Sequence, residues 1–157
     1  MVDMAGPVMK QRGPVEVEFF GFCLQERDTA AVPVQFPEGW DTEGGFLTIC
    51  EGRLDVRSAG HTHTADLVVE VWDEPPPVDV AGAWEADAQA VIVSPSGTLD
   101  VWGVTGGDAG EPVLLGRPGV WRLRLRCAGR AAVAEQAQHG VPEGVERYLA
   151  QFWPVRE

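Results

Sequence analysis

Two histidines in GHTHTADLVVEVW (60–72), His61 and His63, are the residues whose type and spacing point most directly to chemistry. On an extended strand, side chains two apart leave the same face. Paired imidazoles presented that way can hold zinc, iron or copper if a third ligand completes the set. The cupin pattern offers a test: a Gly six residues before an HxH and a Glu four or five after it. Here Asp55 stands six before His61, and the next glutamate, Glu70, comes seven after His63. Both conditions fail. No spacing argument supports Asp55, Asp66 or His139 as a third ligand. His61 and His63 therefore read as the polar start of a strand, and no metal or other cofactor is expected. A metal-dependent β-sandwich enzyme using the two histidines stands as the alternative.

Other catalytic sets are weaker still. Cys23, Cys50 and Cys127 lie in the apolar contexts FGFCL, LTIC and LRLRC, where a thiol behaves as a small buried hydrophobe. An odd number of distant cysteines suits reduced thiols and a cytoplasmic protein. GGDAGEPVLLG lacks the Lys and Ser/Thr of a phosphate loop, and no GxSxG elbow occurs. GWDTEGG (39–45) and GGDAGE (106–111) lack the alternating ligands of a calcium loop and read as polar turns. The balance leans away from an enzyme.

The elements that would position such residues are strands. VEVEFFGFCL (15–24) alternates, with Val15, Val17 and Phe19 inward and Glu16 and Glu18 outward. In AAVPVQF, Pro33 demotes the segment to an edge or loop. FLTIC and RLDVR flank a turn or bulge at Gly52. THTADLVVEVW puts Leu67, Val69 and Val71 inward, with Asp66, Val68, Glu70 and Trp72 outward, and DEPPP stops it. AQAVIVS, SPSG and TLDVWGV read as a hairpin. GVWRLRLRC points Trp121, Leu123, Leu125 and Cys127 to the core, and Arg122, Arg124 and Arg126 outward. ERYLAQFW makes a last strand. Helix is confined to one or two turns near AAVAEQAQ. Together these predict a single antiparallel β-sandwich of about eight short strands over residues 14–157, after a flexible segment 1–13. A closed barrel is the other option.

Charge narrows the partners. The net charge of −12 divides unevenly: residues 1–111 carry 20 acidic and 5 basic side chains, residues 112–157 carry 4 and 7. Such a balance disfavours nucleic acid and anionic membrane, and favours a basic protein. No apolar run approaches the ~20 residues of a membrane span, and no secretory signal opens the chain. The arginine row is expected to pair with acidic rows on neighbouring strands; a bare binding stripe is the sharper alternative. Six tryptophans, among them Trp72 and Trp102 near strand ends, allow a small-ligand or sugar-binding module as a third option.

The C-terminal third carries a resemblance. Gly119, Trp121, Arg122, Leu123, Arg124 and Leu125, then Gly129 and Arg130, match a strand of type G-x-[WY]-R-[LV]-R-[LV] and a Gly-Arg turn. Glu146, Tyr148, Leu149, Gln151, Phe152, Trp153 and Pro154 match a closing strand of type E-x-Y-L-x-Q-[LF]-W-P. This resembles a pattern in small acidic bacterial proteins. In size, acidity and all-β layout the chain also resembles the competence protein J group, in which a small acidic protein inhibits a DNA-entry nuclease. No catalytic residue transfers. The resemblance implies a non-enzymatic inhibitor or immunity-type module that offers carboxylates to a basic partner such as a nuclease. The expected contacts are Glu38, Asp41 and Glu43, then Asp73, Glu74 and Asp79, then Glu85 and Asp87.

Overall fold

The computed structural model describes residues 6–33, 45–78 and 84–156. Within these residues ten strands form one continuous sheet: β1 (Met9–Val17), β2 (Gly21–Glu26), β3 (Leu47–Cys50), β4 (Arg53–Arg57), β5 (His63–Val71), β6 (Ala86–Ser94), β7 (Thr98–Gly103), β8 (Asp108–Leu114), β9 (Gly119–Ala128) and β10 (Glu143–Pro154). A short helix, α1 (Arg130–Gln136), joins β9 to β10, and a single 3-10 turn covers Thr29–Ala31. The order across the sheet is β3-β4-β2-β7-β8-β1-β5-β10-β9-β6. The sheet rolls until its edges, β3 and β6, come within 8 Å in places. The all-β expectation holds, but a near-closed roll of ten strands replaces the eight-stranded sandwich.

Period-2 patterning explains the faces. Trp121, Leu123, Leu125 and Cys127 of β9 and Leu67, Val69 and Val71 of β5 are buried in one core with Val15, Val17, Phe22 and Leu24. Trp72 was expected outward. It does lie on the Glu70 side, since its indole Nε1 donates to Glu70 Oε1 at 3.1 Å, yet it is covered.

Four features differ from expectation. First, β1 begins at Met9 and pairs residue for residue with β5, so 9–13 belong to the sheet. Second, 15–24 is two strands. The chain reverses at Phe19 and Phe20, and Phe19 is 53% exposed where the alternation placed it inward. Third, β10 runs parallel to β5, so the sheet is mixed. Fourth, β6 and β7 do not pair: β6 pairs β9, and β7 pairs β2 and β8. The SPSG segment instead carries the chain from one half of the sheet to the other. Buried Glu26 holds it there, accepting from Ser94 Oγ at 2.7 Å and from the Ser96 hydroxyl and amide. A local pattern reports a reversal of direction; a carboxylate 68 residues away decides where the chain lands.

The seam between β8 and β1 is thin. Only Val15 and Gly110 are paired there, because Pro112 has no amide to offer. Gln11 closes the gap with its side chain, donating to Pro112 O at 3.1 Å and accepting from Leu114 N at 2.9 Å. Among the described residues no helix is long and apolar enough to cross a membrane.

Candidate functional site

His61 and His63 end in different surroundings. His61 precedes β5 and is exposed, with Nδ1 at 2.8 Å from Thr62 Oγ1. His63 opens the strand and is buried. The two imidazoles therefore present no common metal-facing surface, and no cluster of three or more ligating side chains occurs among the described residues.

His63 belongs to an interior network. Its Nε2 lies 2.7 Å from Ser58 Oγ, which donates to Glu146 Oε1 at 2.7 Å. Tyr148 Oη donates to the same oxygen at 2.5 Å, and the Ala59 amide donates to Oε2 at 2.9 Å. Arg130 Nη1 stands 3.6 Å from Oε2 and donates to Arg57 O at 3.1 Å. Ser, His and Glu suggest a hydrolase, but the wiring is wrong. In a triad the carboxylate holds imidazole Nδ1; here it holds the serine, and Nδ1 makes no hydrogen bond of good geometry among the described residues. Because the Ser58 hydroxyl donates to Glu146, Nε2 must donate to Ser58 Oγ, which fixes the tautomer. Burial pushes the His63 pKa down against the opposing pull of Glu146, so the ring is neutral. Ser58, His63 and Glu146 are 1%, 2% and 0% exposed, beyond the reach of substrate. Gly60 allows the packing, since a Cβ there would lie 2.7 Å from His63 Cδ2. Burial likewise pushes the Cys23 thiol up to about 11 and Cys127 up to about 12, which keeps both protonated.

The outer face of β1, β5, β10 and β9 carries two rows. In the first, Lys10, Glu70, Gln151 and Arg124 are direct cross-strand neighbours. Lys10 Nζ is 3.9 Å from Glu70 Oε2, Gln151 Nε2 donates to Glu70 Oε1 at 2.9 Å, and Arg124 Nη2 donates to Gln151 Oε1 at 2.7 Å. Arg126 donates to Asp87 at 3.1 Å. The arginine row is thus engaged at Arg124 and Arg126, while Arg122 is exposed.

The second row lies at the other end of β5. Glu16 on β1 and Glu143 on β10 both face Thr64 in register, one on each side. With Asp108 and Glu111 of β8 they line an open groove of about 540 Å³. All four carboxylates are exposed; no cation lines this groove among the described residues, while Arg12 and Arg147 line the adjoining hollow that shares Thr64 and Glu143. Alternation sets Glu16 outward, as found, whereas GGDAGE, expected as a polar turn, supplies the start of β8 from Asp108.

Of the acidic contacts expected from sequence, Glu38, Asp41, Glu43 and Asp79 lie outside the described residues. Asp73 and Glu74 are exposed just beyond β5, at the opposite end from Glu16. Glu85 and Asp87 hold structural partners. Glu85 accepts from the amides of Gly129, Arg130 and Ala131 at the start of α1, and the Ala131 bond leads in lowering its pKa. Gly129 must be glycine there: its φ is 79° and a Cβ would come within 2.0 Å of Val145 O. Trp72, Trp121 and Trp153 are buried and Trp84 and Trp102 half-buried; Trp40 lies outside the described residues.

No protein-family model and no curated protein matches the chain. Two solved structures share the fold. ComJ from Bacillus subtilis, described as inhibitor of the DNA degrading activity of NucA, aligns with a TM-score of 0.64 at 12% identity, covering 97% of this chain and 99% of its own. The product of crocagin biosynthetic gene J aligns with a TM-score of 0.61 at 12% identity, covering 95% of this chain and 100% of its own.

Proposed function

We propose that this chain is a non-enzymatic, inhibitor-type module that binds a basic protein, a nuclease being the favoured class. The carrying observation is the row Glu16, Thr64, Glu143 with Asp108 and Glu111 beside it. Glu70 and Asp87 are paired elsewhere on the sheet, whereas these four carboxylates stay exposed along one groove, with Arg12 and Arg147 in the adjoining hollow. A nuclease must be basic where it holds phosphate, and carboxylates spaced along a groove can occupy such a surface. The fold it shares with ComJ, itself described as a nuclease inhibitor, supports the same reading. Asp73 and Glu74 form a second, separate acidic face open to the same kind of partner.

The test is inhibition of DNA degradation by purified NucA, run from low to physiological salt. Dose-dependent inhibition that weakens as salt rises, and that is lost in the pair Glu16→Lys and Glu143→Lys, is the expected result. Full inhibition by that doubly reversed variant would remove the groove from the interface; no inhibition by the unaltered chain would end the nuclease proposal.

A further inference from the structure

The turn between β1 and β2 is built from residues that such a turn disfavours. Phe19 and Phe20 have φ of 52° and 65° and are the two non-glycine residues with positive φ among the described residues. Two-residue hairpins of this kind favour Asn-Gly or Gly-Gly, because a Cβ in the left-handed region meets the backbone. Strain held in place by its surroundings points to a use for the strained residue. The surroundings here are explicit. Glu18 and Gly21 close the turn through reciprocal backbone bonds of 3.4 and 3.1 Å. The Phe20 amide donates to His61 O at 2.9 Å, and the Ser58 amide donates to Phe20 O at 2.8 Å. The His61 ring meets both aromatic rings edge-on, at 5.2 and 5.0 Å. Residues 58–62 are themselves pinned from within by Glu146, through the Ser58 hydroxyl and the Ala59 amide. The buried network thus positions an aromatic tip.

That tip leaves Phe19 53% exposed, next in sequence to Glu18, with the Arg57 guanidinium 5.8 Å from the Phe20 ring on the other side. Glu18 accepts from Thr105 Oγ1 at 2.9 Å, in the loop that leads to Asp108. Glu16 lies three residues before Phe19, on β1. We propose that Phe19 is the anchor of the partner interface: a ring preset by the His61 loop to enter an apolar pocket rimmed by lysine or arginine on a basic protein. A rigid aromatic loses little freedom on docking and is desolvated together with the charges that flank it, which is how single residues come to dominate an interface. Charge complementarity selects the partner and the ring supplies its grip. The inference rests on the proposed function above.

The test uses the full chain with two probes, NucA and polylysine. Phe19→Gly suits the native φ, so it should melt at or above the temperature of the unaltered protein. It should weaken inhibition of NucA by roughly tenfold to a hundredfold, and leave binding to polylysine, which has charge and no pocket, unchanged. Phe19→Trp should retain inhibition. If Phe19→Gly inhibits NucA as well as the unaltered chain while the Glu16→Lys and Glu143→Lys pair does not, the anchor is wrong and the acidic groove stands. A fall in melting temperature that accounts for the lost inhibition makes Phe19 structural and overturns the anchor as well. Failure of the unaltered chain to inhibit NucA overturns both readings.

Discussion

His63 and Thr64 are consecutive, yet they face opposite sides of β5 and opposite electrostatic worlds. Inward, His63 reaches a single carboxylate, Glu146, whose oxygens accept from a serine, a tyrosine and a backbone amide. Outward, Thr64 separates two carboxylates, Glu16 and Glu143, with no cation lining their groove among the described residues. The inner carboxylate is satisfied because burial without partners would cost far more than the network gains. The outer pair survives because water screens it, and it survives only at some cost. Inside, polar groups serve shape. Outside, they are displayed.

The comparison predicts unequal effects on the two faces. The largest belongs to Glu146→Ala, which strips an acceptor from Ser58, Tyr148 and Ala59 and should destabilise by about 3–5 kcal/mol in urea unfolding. A loss below about 1 kcal/mol would show the network to be ornamental. Next comes Gly60→Ala, which drives a methyl into His63 and should cost about 1–3 kcal/mol; the same titration reads it. Third is pH. Burial lowers the folded pKa of His63 below its usual 6.5, so the unfolded chain takes up a proton first. Its contribution to stability is therefore complete above pH 6.5 and is lost as pH falls toward the lowered value. Stability measured from pH 7.5 to 5.5 should decline, with the decline reduced in His63→Gln. The smallest effect lies outside: Glu16→Lys should change stability by no more than about 0.5 kcal/mol while weakening binding to the partner. A destabilised Glu16→Lys would mean that the outer carboxylates are structural after all.

How much of this was legible beforehand varies by residue. The faces of GVWRLRLRC followed from alternation, since period 2 is a property of the extended backbone itself. Pairing for that arginine row was the plainer of the two expectations, although Arg124 meets Gln151 and Pro77 O where a carboxylate was anticipated. Phe19 was misplaced because alternation assumes that a strand continues, and nothing in EFFG announces a left-handed reversal. The candidate site was less legible. Asp87 reads as an available carboxylate, but its register sets it against Arg126, and the alternation of ERYLAQFW starts the last strand three residues after Glu143, where β10 begins.

By itself the amino-acid order determined local matters: extended segments, which side of each is apolar, that helix is scarce and that acid is in excess. These depend on backbone geometry and on neighbours a few residues apart. Only the tertiary structure decided that His61 and His63 part company, that SPSG joins two halves of the sheet, and that Glu16 and Glu143 flank one threonine. Those outcomes depend on partners far along the chain, as Ser58 and Glu146 are 88 residues apart. No local pattern encodes which distant strand will lie alongside.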